Sequence, residues 1–214
     1  GTNAWTHAGS NDLWHVTGRR SSSPGRSWYC GSEASAQYLN SMDASLITPP
    51  LRLVASSVLT FNHWLKTEVD TGLPGHTWDG GIVEVSVDGG TFFEQIMPED
   101  DYNYLVTPNP ASPFAPETPC FGGTGGWMRA TFDLSAYGGQ TALVRFRFGS
   151  DAYVVDEGWY IDDVVIEPHS GTNDWLSVSP PNGVLAPGAV TSIVVRIDSA
   201  GLPAGGEFAA ILAL

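Results

Sequence analysis

Short runs that alternate apolar and polar residues, cut by Gly, Pro, Asn and Asp, recur along most of this chain, while helical periodicity is almost absent. Period-two alternation puts successive side chains on opposite faces of an extended strand, so the pattern predicts an all-β sandwich. Val83-Glu84-Val85-Ser86-Val87 is the clearest case. It meets Asp88-Gly89-Gly90, a turn whose glycines accept positive φ, and Thr91 to Ile96 returns from it as a hairpin partner. Val144, Phe146 and Phe148 are expected to face a core, with Arg145 and Arg147 in water. Ser57–Leu65, Trp159–Ile166, Ala36–Asn40, Leu51–Val54 and Trp127–Phe132 read as further strands. About eight or nine strands are thus expected between Leu13 and Glu167.

Two stretches depart from the pattern. Pro98 to Gly126 holds six prolines and closes on Gly-Gly-Thr-Gly-Gly; it is expected to be a functional or mobile loop, or a surface excursion pinned by Cys120. Around His169 the pattern breaks and restarts. Trp175 onwards supplies three or four strands, too few for a sandwich of about seven. The domains are therefore expected at 1–168, a jelly-roll β-sandwich, and 169–214, an incomplete Ig-like β module. The chain opens at Gly1 and reads as a processed or excised piece.

With 214 residues and a net charge of −14, from 23 acidic against 9 basic side chains, the chain repels phosphate backbones and anionic lipid. Nucleic acid is excluded as a partner, and so is membrane insertion, because no apolar run approaches the ~18 residues of a span. Cations are welcome. The histidines, His7, His15, His63, His76 and His169, are scattered, without the clustering that a zinc peptidase needs. Neither a nucleophile elbow nor a phosphate-binding loop is present, so no catalytic residue is assigned. Cys30 and Cys120 could pair, closing a loop of about 90 residues worth roughly 4 kcal/mol, or lie buried as two thiols.

Carboxylates gather at Glu68 and Asp70, at Asp79, and at Asp162-Asp163 inside the apolar run Trp159 to Ile166. Adjacent carboxylates in such a strand repel each other and pay desolvation unless a cation or hydrogen bonds compensate. Calcium, which takes carboxylate and carbonyl oxygens, is the expected structural ion; backbone amides in a tight corner are the alternative. Strand neighbours face opposite ways, and Asp163 falls in register with Ile161 and Val165, so Asp162 is the preferred ligand. The aromatic residues raise a second expectation, a carbohydrate platform of exposed rings. Trp5, Trp28, Trp78 and Tyr102 lie in loop-like stretches, and Trp78 and Tyr102 are the candidate ligand contacts. Trp14, Trp64, Trp127 and Trp159 are assigned to the core.

Leu13-Trp-His-Val-Thr, Ser27-Trp-Tyr-Cys-Gly, Leu59-Thr-Phe-Asn-His-Trp, Asp79-Gly-Gly-Ile-Val-Glu-Val-Ser-Val-Asp-Gly-Gly, Phe132-Asp-Leu-Ser-Ala-Tyr-Gly-Gly, Val144-Arg-Phe-Arg-Phe-Gly-Ser-Asp and Gly158-Trp-Tyr-Ile-Asp-Asp-Val occur in this order. The set resembles the MAM-like, galactose-binding-like jelly-roll module found beside the peptidase domain of immune inhibitor A metallopeptidases, from Trp5 to Pro168. The resemblance implies a structural calcium near the last strand, held by Asp162 with Glu68 and Asp79 as co-ligands. It also implies a secreted or cell-surface accessory module without proteolysis, whose partners are neighbouring domains of the same polypeptide, an extracellular protein or a glycan. Trp175-Leu-Ser-Val-Ser-Pro-Pro-Asn-Gly resembles the opening of the Ig-like repeats of bacterial surface proteins.

Overall fold

The computed structural model describes residues 5–123, 125–168, 176–179 and 194–197. The chain divides into two compact units, Gly1–His169 and Ser170–Leu214. In the second, β15 (Leu176–Ser179) and β16 (Val194–Ile197) pair antiparallel. The rest of the expected Ig-like module lies outside the described residues.

In order, the strands of the first unit are β1 (Thr6–Ser10), β2 (Trp14–Thr17), β3 (Ser27–Cys30), β4 (Asp43–Ile47), β5 (Leu51–Arg52), β6 (Ser57–Lys66) and β7 (His76–Thr77). There follow β8 (Gly80–Ser86), β9 (Glu94–Gln95), β10 (Tyr104–Val106), β11 (Pro119–Cys120), β12 (Met128–Asp133), β13 (Thr141–Gly149) and β14 (Gly158–Pro168). One sheet runs β1-β4-β13-β8-β9, with β5 also pairing β13, and the other runs β12-β6-β14-β3-β2. Leu59, Phe61 and Leu65 of β6 and Trp159 and Ile161 of β14 face Val83, Val85, Val144, Phe146 and Phe148 of the opposite sheet, all buried. Phe61 meets Phe146 edge-on with ring centroids 5.0 Å apart. This is the expected all-β sandwich, and period-two alternation is its cause: β6 buries every second residue along its whole length.

The differences are local. Ala36–Asn40 is irregular, with a bend at Ala36 and Gln37 and Ala36 at φ 57°; the strand falls instead at β4, where Ala44 and Leu46 point inward. Arg145 and Arg147 do leave the core, yet they are not in open water. Arg145 Nε donates to Glu84 Oε2 at 2.5 Å, and Arg147 donates to both carboxylate oxygens of Asp43 at 2.7 and 2.9 Å. Phe93 covers Arg145 at 3.9 Å, and Arg147 is covered by the proline-rich stretch, which folds back over the outer face of this sheet. Within it β10 pairs β11 and, in parallel, β7. Its Val106, Phe114 and Cys120 bury Ile82 in a second, smaller core, and Phe114 lies 5.0 Å from the Arg147 guanidinium. Every residue of β8 is buried on both faces as a result.

Cys30 and Cys120 do not form the disulfide: both are buried free thiols. Cys30 belongs to the main core and Cys120 to the smaller one. Burial pushes both thiols up, Cys120 to about 12 with the charge of Asp79 adding to the effect. Trp14 and Trp159 fill the core as expected. Trp64 does not; it lies half-buried on the outer face of β6, with the Arg20 guanidinium 4.1 Å from its ring.

Candidate functional site: a three-carboxylate cluster

Gly80 and Gly149 are partners in the β8–β13 register. That pairing sets Asp79, just before β8, beside Asp151, just after β13. The Asp151 backbone N–H donates to Asp79 Oδ1 at 2.7 Å. Glu68 arrives from the other sheet, two residues past the end of β6. Its main chain is tied in by Trp78 N–H, which donates to the Glu68 carbonyl at 3.1 Å. Thr77 Oγ1 lies 2.6 Å from the Glu68 carbonyl and 2.7 Å from that of Asp79. Glu68, Asp79 and Asp151 each bring a carboxylate oxygen within 4.8 Å of the other two. The cluster thus bridges both sheets at one end of the sandwich.

Asp79 is 0% and Asp151 2% exposed. Burial pushes the Asp79 carboxyl up to about 7, against the pull of hydrogen bonds from Tyr38 Oη, 2.6 Å from Oδ2, and from the Asp151 amide. Glu68 is raised as well, first by burial and then by the charge of Asp151. Asn109 Nδ2 donates to Asp151 Oδ2 at 2.7 Å and Tyr153 N–H to Oδ1 at 2.9 Å. Among the described residues none of the three carboxylates has an ion-pair partner; the nearby Lys66 is engaged by Asp156 at 2.9 Å. Three crowded carboxylates in low dielectric either take up protons or hold a cation. Their hard oxygen donors suit calcium, and each buried oxygen that accepts one hydrogen bond keeps a further lone pair free.

Two expected ligands, Glu68 and Asp79, therefore meet, with Asp151 as a third that sequence reasoning missed. A Gly-Ser-Asp following β13, opposite an Asp-Gly-Gly opening β8, was the available signal. Asp162 and Asp163 lie elsewhere. Asp162 pairs with Asn62 while Gly158 pairs with Lys66, which sets Asp162 about 13 Å along the strand from the cluster's end. Its Oδ2 accepts from the backbone amides of Ser22 at 2.7 Å and Ser23 at 3.2 Å, and its Oδ1 from Asp163 N–H at 2.9 Å.

The expectation that Asp163 shares the face of Ile161 and Val165 fails, because one extra residue enters β14 between Asp162 and Val165, with Asp163 at φ 51°. This β-bulge turns Val164 and Ile166 to the core and leaves Asp163 exposed. Tyr102 is also reassigned. Its ring packs 4.6 Å from Phe121 and its hydroxyl accepts from Val83 N–H and donates to the Ile96 carbonyl, so it is committed to the fold. Trp78 is half-buried beside the cluster.

The chain is thus an all-β sandwich with an acidic cluster at one end. It is 31% identical to Bacillopeptidase F of Bacillus subtilis (strain 168) over 189 residues, 84% of this chain but 11% of that protein. It is 44% identical over 46 residues to the Pre-pro-metalloprotease PrtV of Vibrio cholerae serotype O1, 22% of this chain and 5% of that one. The chain therefore spans about a tenth or less of the length of these relatives. No protein-family model matches it. Among solved structures, a carbohydrate-binding module of the β-sandwich superfamily has a TM-score of 0.46 at 13% identity, covering 77% of this chain and 57% of that one. The K2 adhesin domain of Lys-gingipain has a TM-score of 0.46 at 18% identity, covering 77% and 88%.

Proposed function

We propose that this chain is a non-catalytic accessory module of a larger secreted, peptidase-type protein, locked by calcium at Glu68, Asp79 and Asp151, which holds or orients neighbouring domains. The observation that carries the reading is the cluster itself: three carboxylates within 4.8 Å of one another, two of them buried, with no counter-charge among the described residues. The similarity to a small fraction of two much longer proteins named as peptidases supports the accessory role and the extracellular setting. Calcium supplies charge neutralisation there. It ties the end of β6, the β7–β8 turn and the β13–β14 connection into one unit, raising stability by mass action on the folded state.

Thermal unfolding with and without calcium tests this. The midpoint is expected to rise through the ~0.1–1 mM range typical of extracellular modules, with the unfolding free energy raised by about 2.7 kcal/mol at a hundredfold excess over the dissociation constant. Asp79→Asn removes one charge and most of the response. A midpoint that is the same in calcium and in chelator sinks the proposal.

A further inference from the structure

A cleft of about 380 Å³ opens well away from the carboxylate cluster, with Trp5, Val16, Arg26, Trp28, Ile161 and Asp163 among its walls. That volume falls in the range of small-molecule sites. Val16, Trp28 and Ile161 sit side by side across β2, β3 and β14. Trp5 stands opposite, its ring centroid 5.8 Å from that of Trp28 at 35°, and is anchored by stacking on Phe146 at 6.1 Å. Both indoles remain half-buried. Apolar and aromatic walls are therefore fixed in place by the core.

The polar groups differ in kind. Arg26 is exposed and, like Arg52 and Arg129, has no ion-pair partner among the described residues. Its guanidinium only donates. Asp163, exposed at the bulge, only accepts when ionised, and Asn62 Nδ2 steadies its Oδ2 at 2.9 Å. Asp162 is tied down by the Ser22, Ser23 and Asp163 amides and serves as a structural group.

We infer that this cleft binds a neutral saccharide. Sugar hydroxyls donate and accept at once, which matches a donor-only and an acceptor-only side chain in one cleft. The C–H face of a pyranose suits indole walls. An anionic ligand meets the net charge of −14 and the two aspartates of the lining. None of the lining residues belongs to the carboxylate cluster, so this site and the calcium proposal stand or fall separately.

The test is electrophoresis of the full chain, in saturating calcium, through gels loaded with xylan, galactomannan, mixed-linkage glucan or polygalacturonate. Arg26→Gln and Asp163→Asn are run beside it, their folding checked by an unchanged thermal midpoint. Retardation by at least one neutral polysaccharide is expected, with binding weakened about tenfold in each variant, the loss of one charged hydrogen bond. Retardation by polygalacturonate alone, retention that neither substitution alters, or no retardation in any gel, as for a peptide site, overturns the inference.

Discussion

His63 sits on the inner face of β6, 1% exposed, among Phe61, Phe121 and Trp159, and its Nδ1 accepts from Trp159 Nε1 at 3.3 Å. Burial in this apolar, aromatic setting lowers its pKa to about 4. The unfolded chain, with histidine near 6.5, binds the proton first, so the neutral ring's contribution to stability is complete above that pH and is lost as pH falls towards 4. The loss is roughly 3 kcal/mol. His63→Gln keeps an acceptor for the indole but cannot titrate. Its denaturant midpoint is expected to be lower at neutral pH and flatter between pH 6.5 and 4 than that of the parent; parallel profiles would rule His63 out as the acid-sensitive group.

At the level of elements, β14 shows how far alternation carries and where it stops. The apolar pattern of Trp159, Ile161, Val164 and Ile166 is visible in the sequence, but the spacing jumps from two to three at Asp162-Asp163. A regular strand cannot bury all four; a bulge can. Strict alternation carried across that jump puts Asp163 on the wrong face. Asp151 is hidden from the sequence for a related reason. Its Gly-Ser-Asp becomes a signal only once β13 is set against β8, because Asp79 and Glu68 are brought to it by strand pairing, and register is a property of two strands. Long-range pairing likewise decided the proline-rich stretch, whose short strands find their partners only over β8. By contrast β6, β8 and β13 declare themselves, since each alternates over enough residues to outweigh its ends.

Deleting one aspartate of the pair restores strict alternation through β14. The variant is expected to keep its far-ultraviolet spectrum and lose only the local hydrogen bonds, about 1–2 kcal/mol. Deleting Val164 instead turns the Asp163 carboxylate inward at the core position of Val164 and should abolish the cooperative unfolding transition; equal damage from the two deletions would contradict the bulge assignment.

For the molecule as a whole, the buried core residues described in the first unit run from Trp14 to Ile161. A chain ending at His169 is therefore expected to fold alone, with a thermal midpoint and calcium response close to those of the full chain. A large fall in midpoint would show that Ser170–Leu214 completes the sandwich. The two sulfhydryls carry a different consequence. Each is enclosed in its own apolar setting and held protonated by it, so neither offers the thiolate that oxidants attack. The first unit thus closes its two cores with no covalent link between Cys30 and Cys120.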